Sequence, residues 1–146
     1  MARTIHVLNG PNLNRLGRRE PEIYGHTTLG EVEAMCRAAA GEDALVFRQT
    51  NYEGQLVEWI HEATDTGAAG MVINPAGLTF TSIPVLDALK MFMGPVIELH
   101  ISNIHRREEI YQRSLVSGVA TAVIAGLGAR GYATAVRSLR ELLEGR

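Results

Sequence analysis

The chain has almost no cysteine. Cys36 is the only one in 146 residues, which rules out an internal disulfide and fits a reducing compartment. It falls in a helical apolar pattern, where it reads as a small residue packed inward. No apolar run approaches the roughly 18 residues of a membrane-spanning helix. The N-terminus "MARTIHVLNG" lacks the hydrophobic region of a signal peptide. The expectation is a cytoplasmic protein without a membrane partner. Excess charge is lacking too. A net charge of −2 leaves no global field that would draw the protein to nucleic acid, so local arginine clusters matter more than the total. Repeats, linkers and low-complexity segments are also missing. What remains is ordinary for a soluble globular chain: 46% hydrophobic and 21% charged residues. At this length one domain, residues 1–146, is expected, burying about two-thirds of its unfolded surface.

Two patterns alternate along the chain. Short β-rich apolar runs occur at 4–9, 44–49, 70–74, 95–101 and 121–128, bounded by Gly, Pro or Asn. Such continuous runs suit strands buried on both faces. Helical stripes separate them. Leu29, Val32, Met35, Cys36 and Ala39 follow Thr28, which with Glu31 fits a capping box. Leu56, Trp59, Ile60 and Ala63 form a second stripe. Thr81 and Ser82 can cap a third helix with Pro84 in its first turn. Val136, Leu139 and Leu143 mark a last helix from about Tyr132. Strands alternating with helices imply a parallel sheet covered on both faces. For this length the expected architecture is an α/β, flavodoxin-like doubly wound five-stranded sheet of order 2-1-3-4-5.

In such folds ligands bind beyond the carboxyl ends of the strands, near the point where strand order reverses. The segments after each strand therefore carry the functional reading. Several familiar sites are excluded there. "GLGARG" (126–131) matches a dinucleotide fingerprint, but it follows the last strand, and the acidic ribose partner would fall at the chain's end. A phosphorylated receiver domain needs acidic residues where Asn9 and Asn74 stand. His61 and Glu62 lack a second metal-ligand pair. Glu98, His100 and His105 do not close a metal site. No serine sits in a nucleophile elbow.

What remains is Asn12, Arg19, Tyr24, Asn74, Glu98, His100 and Ser102. Singly, Tyr24 could be a packing aromatic, Arg19 a solvated charge and His100 a satisfied core histidine. Together they supply complementary acid–base groups at ligand-facing strand ends. The opening loop "LNGPNLNRLGRREPEIYG" (8–25) is too polar for core and too broken by Gly and Pro for helix.

That loop, with "EGQLVEWIHEA", "INPAGLT", "IELHISNIHRREE" and "GLGARGY", closely resembles type II 3-dehydroquinate dehydratase in block order and spacing across essentially the whole chain. The resemblance implies removal of water from 3-dehydroquinate to give 3-dehydroshikimate, in the shikimate pathway of aromatic amino acid biosynthesis. The substrate is then a small cyclic hydroxy-keto carboxylate, and no cofactor or metal is implied. It places the base on Tyr24. An unperturbed tyrosine titrates near 10, so a nearby cation must favour the phenolate; Arg19 matches the family residue that does so. Asn12 resembles the donor at the developing enolate. His100 resembles the general acid, oriented by Glu98 on the same strand face. Asn74 matches a donor to substrate hydroxyls. The Ile101 and Ser102 amides, with the Ser102 hydroxyl, would hold the carboxylate. Asp87 matches a residue contributed across a subunit boundary in a homo-oligomer of trimers, a dodecamer. The opening loop would act as a lid.

Two positions depart from the family pattern. Phe80 replaces a histidine, and Tyr111 replaces an arginine, both at the hydroxyl-binding end. Losing one charged hydrogen bond typically costs about 1.5–3 kcal/mol. Arg113 could restore the cation, activity on dehydroquinate could be weaker, or the substrate could be an analogue with an amine in place of a hydroxyl. A non-enzymatic homologue that binds a small carboxylate is a further alternative.

Overall fold

A computed structural model describes residues 2–145. Five parallel strands, β1 (Thr4–Asn9), β2 (Ala44–Gln49), β3 (Gly70–Asn74), β4 (Val96–His100) and β5 (Ala122–Ala125), form one sheet of order β2-β1-β3-β4-β5. This is the flavodoxin-like arrangement the alternating pattern predicts. Helices α2 (Leu29–Ala40) and α5 (Gly131–Glu144) cover one face. Their Val32, Cys36, Val136 and Leu139 pack with Ile5, Val7, Ile97 and Leu99. Helices α3 (Glu53–Asp65) and α4 (Ile83–Leu89) cover the other, where Leu56, Ile60, Val85 and Leu89 meet Leu8, Met71 and Ile73. Every residue of β3 and β4 is buried. Burial on both faces is why these strands read as continuous apolar runs, and it makes Glu98 and His100 conspicuous within β4.

The helix starts follow their cap chemistry. Thr28 and Glu31 form a reciprocal capping box at α2. The Ser82 hydroxyl accepts from the Val85 amide at α4. Burial pushes the Cys36 thiol up to about 12, so it stays protonated as an inert core residue.

The ends of elements differ from the sequence expectation. β4 starts one residue later than predicted. β5 stops at Ala125 because Gly126 and Gly128, at φ +92° and +72°, turn the chain out of the sheet. The opening loop, expected to lack helix, contains a 3₁₀ turn (Leu13–Arg15) and one α-helical turn, α1 (Pro21–Tyr24). Proline at a first helical position loses no hydrogen bond and pre-sets φ, so Pro21 starts α1. Leu13 and Leu16 are buried in the core beneath the loop.

β1 and β3 run side by side in register, with Asn9 opposite Asn74, and both chains turn away beyond them. The Gly10 amide donates to the Asn74 carbonyl at 2.8 Å. A β-carbon on Gly10 would lie 2.3 Å from the Pro75 carbonyl oxygen, so only glycine fits there. Gly10→Ala is expected to cost about 1–3 kcal/mol, the range for overpacking a rigid site. Chemical denaturation of the two proteins would measure it, and an unchanged midpoint would contradict the close approach.

Candidate active site

The two strand ends are tied by a buried polar triad. The Tyr132 hydroxyl donates to Asn9 Oδ1 at 2.7 Å and accepts from Asn74 Nδ2 at 2.9 Å. Asn9 Nδ2 donates in turn to the Arg48 carbonyl, and Asn74 Oδ1 accepts from the Ala76 amide. Tyr132 and Asn9 are fully buried. Burial pushes the Tyr132 phenol well above its ordinary range, so it stays neutral and both donates and accepts. Nothing in its sequence position, at the start of an apolar helix stripe, marks this role. Its hydroxyl fixes the amide of Asn74 at the mouth of a cavity.

That cavity, of about 160 Å³, opens beyond the carboxyl ends of β1, β3 and β4. Asn12, Arg19, Tyr24, Asn74, His100 and Ser102 line it, as do Ile101, Phe80 and Tyr111. Asn12 adopts a left-handed backbone at φ 71°, a conformation asparagine tolerates better than most residues. Its amide donates to Asn51 Oδ1 at 2.9 Å, and Gln49 Nε2 donates to the same oxygen at 3.0 Å. The segment after β2 thus braces the start of the opening loop.

Tyr24 ends α1 and presents its phenol to two guanidiniums. Arg107 Nη1 donates to its oxygen at 2.8 Å and Arg19 Nη2 at 3.3 Å. Arg19 also lies 4.3 Å from the Tyr24 ring centre. The phenol oxygen thus accepts charge-assisted hydrogen bonds from two guanidiniums. Arg107 was not singled out from sequence. It sits between the 3₁₀ turns Ile104–Arg106 and Glu109–Tyr111, which carry its side chain to the cavity and over the Tyr111 ring, 4.2 Å from its centre. Arg113, considered from sequence as the replacement cation, is exposed and does not line the cavity.

Glu98 and His100 project from one face of β4. His100 Nε2 and Glu98 Oε2 are 2.5 Å apart, and Glu98 is fully buried. Burial alone would push the Glu98 carboxyl up. The hydrogen bonds from His100 and Ser117, with the His100 charge and the Ser114 hydroxyl, outweigh it and hold the carboxyl below its ordinary range. A buried ionised partner on Nε2 leaves Nδ1 as the imidazole nitrogen available to a ligand. The Phe80 ring stacks at 6.2 Å from His100 and meets Tyr111 edge-on at 5.5 Å, so this wall of the cavity is aromatic.

Asp87 is not brought to the cavity. It lies on α4 with its side chain 64% exposed, 3.6 Å from Lys90. Among the described residues no group of three or more His, Cys, Asp or Glu could hold a metal ion. His61 and Glu62 are helix residues of α3, and Glu62 pairs with Arg48 at 2.7 Å. No helix of the described residues is long and apolar enough to cross a membrane.

Fold and cavity together define a doubly wound α/β protein with a phenol–guanidinium pair and an imidazole–carboxylate pair at the carboxyl ends of its strands. The chain belongs to the class II dehydroquinase family, whose model matches residues 3–140. It is 57% identical over 139 residues to the 3-dehydroquinate dehydratase 2 of Agrobacterium fabrum, with 93% of each chain covered. To the 3-dehydroquinate dehydratase of Cereibacter sphaeroides it is 54% identical, with 99% of each covered. Among solved structures, type II dehydroquinase from Propionibacterium acnes superposes with a TM-score of 0.90 at 45% identity, covering 99% of this chain and 98% of that one.

The buried triad sets an expectation for the site. Tyr132→Phe leaves the Asn9 and Asn74 side chains without their shared partner, which is expected to cost about 1–3 kcal/mol of stability. Thermal unfolding beside the parent protein checks it; equal stability would mean that the triad is not a structural tie.

Proposed function

We propose that this protein dehydrates 3-dehydroquinate to 3-dehydroshikimate through an enolate. The family membership supports the reaction. The observation that carries the assignment of residues is the phenol oxygen of Tyr24 held by Arg107 and Arg19 in the cavity that also holds the His100–Glu98 pair. Tyr24 is the base. As phenolate it takes the proton from the carbon next to the ketone, and the electron pair moves onto the ketone oxygen. Asn12 holds that developing charge, directly or through a water. The enolate then expels the β-hydroxyl, which takes a proton from His100 Nδ1 and leaves as water. Exchange with solvent returns a proton to His100 and removes one from Tyr24.

The remaining residues bind. The Ile101 and Ser102 amides and the Ser102 hydroxyl take the carboxylate, and Arg19 and Arg107 make the cavity favourable to an anion. Asn74, its orientation fixed by Tyr132, donates to ring hydroxyls. Asp87 serves the cavity of a neighbouring copy in a homo-oligomer. Ile83, at the start of its helix, and Met93, four residues past its end, are exposed and fit an interface there. The opening loop closes as a lid over bound substrate, Tyr24 and Arg19 arriving together.

Phe80 and Tyr111 give the hydroxyl-binding end an aromatic wall. The reading of an amine-bearing analogue meets an obstacle there, since the Arg107 guanidinium covers Tyr111 and would repel an ammonium. Dehydroquinate bound with fewer polar contacts is the better fit. Adding dehydroquinate should produce an enone absorbance, with higher kcat/KM than its amino analogue. A clear preference for the analogue reverses the assignment, and no absorbance with either ends it.

Tyr24→Phe is expected to lower kcat at least about a hundredfold with little change in KM, as for loss of a general base. A change confined to KM would make Tyr24 a binding residue. Arg107→Ala and Arg19→Ala should each lower kcat, because each removes a charged donor to the Tyr24 oxygen. The larger loss is expected for Arg107, whose contact is shorter. Values of kcat that coincide with the parent's would remove the guanidiniums from the mechanism.

A further inference from the structure

A buried carboxylate has two oxygens to satisfy, and His100 occupies only one of those on Glu98. The other, Oε1, accepts from the Ser117 hydroxyl at 2.7 Å. Ser117 lies in the segment between Tyr111 and β5, remote in sequence from every group read as chemical. We infer that Ser117 is a positioning residue for the dehydration: by holding Glu98 Oε1 it keeps Glu98 ionised and its Oε2 committed to His100 Nε2. The inference rests on the reading of His100 as general acid.

The surrounding contacts are built to place this hydroxyl. Ser114 Oγ accepts from the Val116 and Ser117 amides at 3.0 and 3.1 Å, closing a tight turn. The Leu115 amide donates to the Thr79 carbonyl at 2.9 Å, which fastens the turn to the segment that carries Phe80. Val116 is fully buried in the core beneath α3 and α4. The turn is thus fastened just ahead of Ser117, an exposed residue whose hydroxyl meets a carboxylate that no solvent reaches.

The chemical consequence concerns where one proton resides. With both oxygens engaged, Glu98 remains a carboxylate and the imidazole carries protons on both nitrogens, so Nδ1 can give one to the departing hydroxyl. If Oε1 loses its donor, the buried anion is under-solvated, and the Nε2 proton transfers to Oε2. The imidazole is then neutral, with a hydrogen on Nδ1 that is a far weaker acid. No substrate contact is lost, so the defect falls on the chemical step. Ser117→Thr keeps a hydroxyl at the same position and Ser117→Ala does not.

Two measurements test this. In protein labelled with ¹⁵N-histidine, the proton in the short His100–Glu98 bond should give a low-field signal coupled to Nε2, identified by its loss in Glu98→Gln. Ser117→Ala should move or abolish that signal and Ser117→Thr retain it. On dehydroquinate, Ser117→Ala should lower kcat about ten- to a hundredfold with KM within about twofold, the size expected for one hydrogen bond to a charged group acting in the chemical step. Ser117→Thr should restore kcat, and in a Glu98→Gln background Ser117→Ala should have no further effect. An unmoved signal and unchanged kcat in Ser117→Ala overturn the inference. So does failure of threonine to restore, or an equal loss in the Glu98→Gln background. If the signal responds as stated while the parent protein does not turn over dehydroquinate, the reaction assigned above fails and the placement of Ser117 stands.

Discussion

The parallel pairing of β1 with β3 is the constraint on which the site depends. Asn9 and Asn74 lie opposite one another at the strand ends, and the next residues must part in opposite directions. Gly10 allows the backbones to come within van der Waals reach of Pro75, and Tyr132 bridges both asparagines from the far end of the chain. The opening loop and the segment after β3 therefore start from one fixed point. Asn12, Ala76 and Gly77 face the cavity within three residues of that point, whereas His100, Arg107 and Tyr111 reach it from β4 and the turns after it. Small cavities of this sort gain their precision from strand ends and not from the loops themselves.

Much of this was legible beforehand because the sheet is buried on both faces. Continuous apolar runs give the strands, the intervening stripes give the helices, and strand order follows from chain length and right-handed crossovers. The ends of strands then locate the ligand side, which is how Asn12, Tyr24, Asn74 and His100 stand out without coordinates. Resemblance to a family adds their roles, which periodicity cannot supply.

The rest was illegible for identifiable reasons. Arg107 lies between two 3₁₀ turns, where neither a period of two nor one of 3.6 indicates which side chains converge. The cation missing at Tyr111 was therefore sought at Arg113, two residues on in sequence, while the chain supplies one from four residues back. Tyr132 occupies an ordinary first-turn position of an apolar helix, and its partners are 123 and 58 residues away. Ser117 belongs to no regular element. The one-turn helix ending in Tyr24 was hidden by the Gly and Pro around it, although Pro21 sits where proline favours a helix start. Asp87 shows a different limit: within its own chain it pairs with Lys90 and lies away from the cavity.

The electrostatic plan of the cavity separates two tasks that would otherwise interfere. On the proposed reaction an anionic substrate and an anionic base would share a small volume, and two guanidiniums would be the counter-charge for both. A third anion open to the same space would compete for those cations and raise the energy of the enolate. Glu98 avoids this by lying behind His100, fully buried, with its charge taken up by the imidazole and Ser117. The group that faces the cavity is therefore the imidazole and not the carboxylate behind it. The cost of burying that carboxylate is several kcal/mol unless each oxygen is bonded, so the Ser117 hydroxyl, which does not line the cavity, helps to hold the charge behind His100.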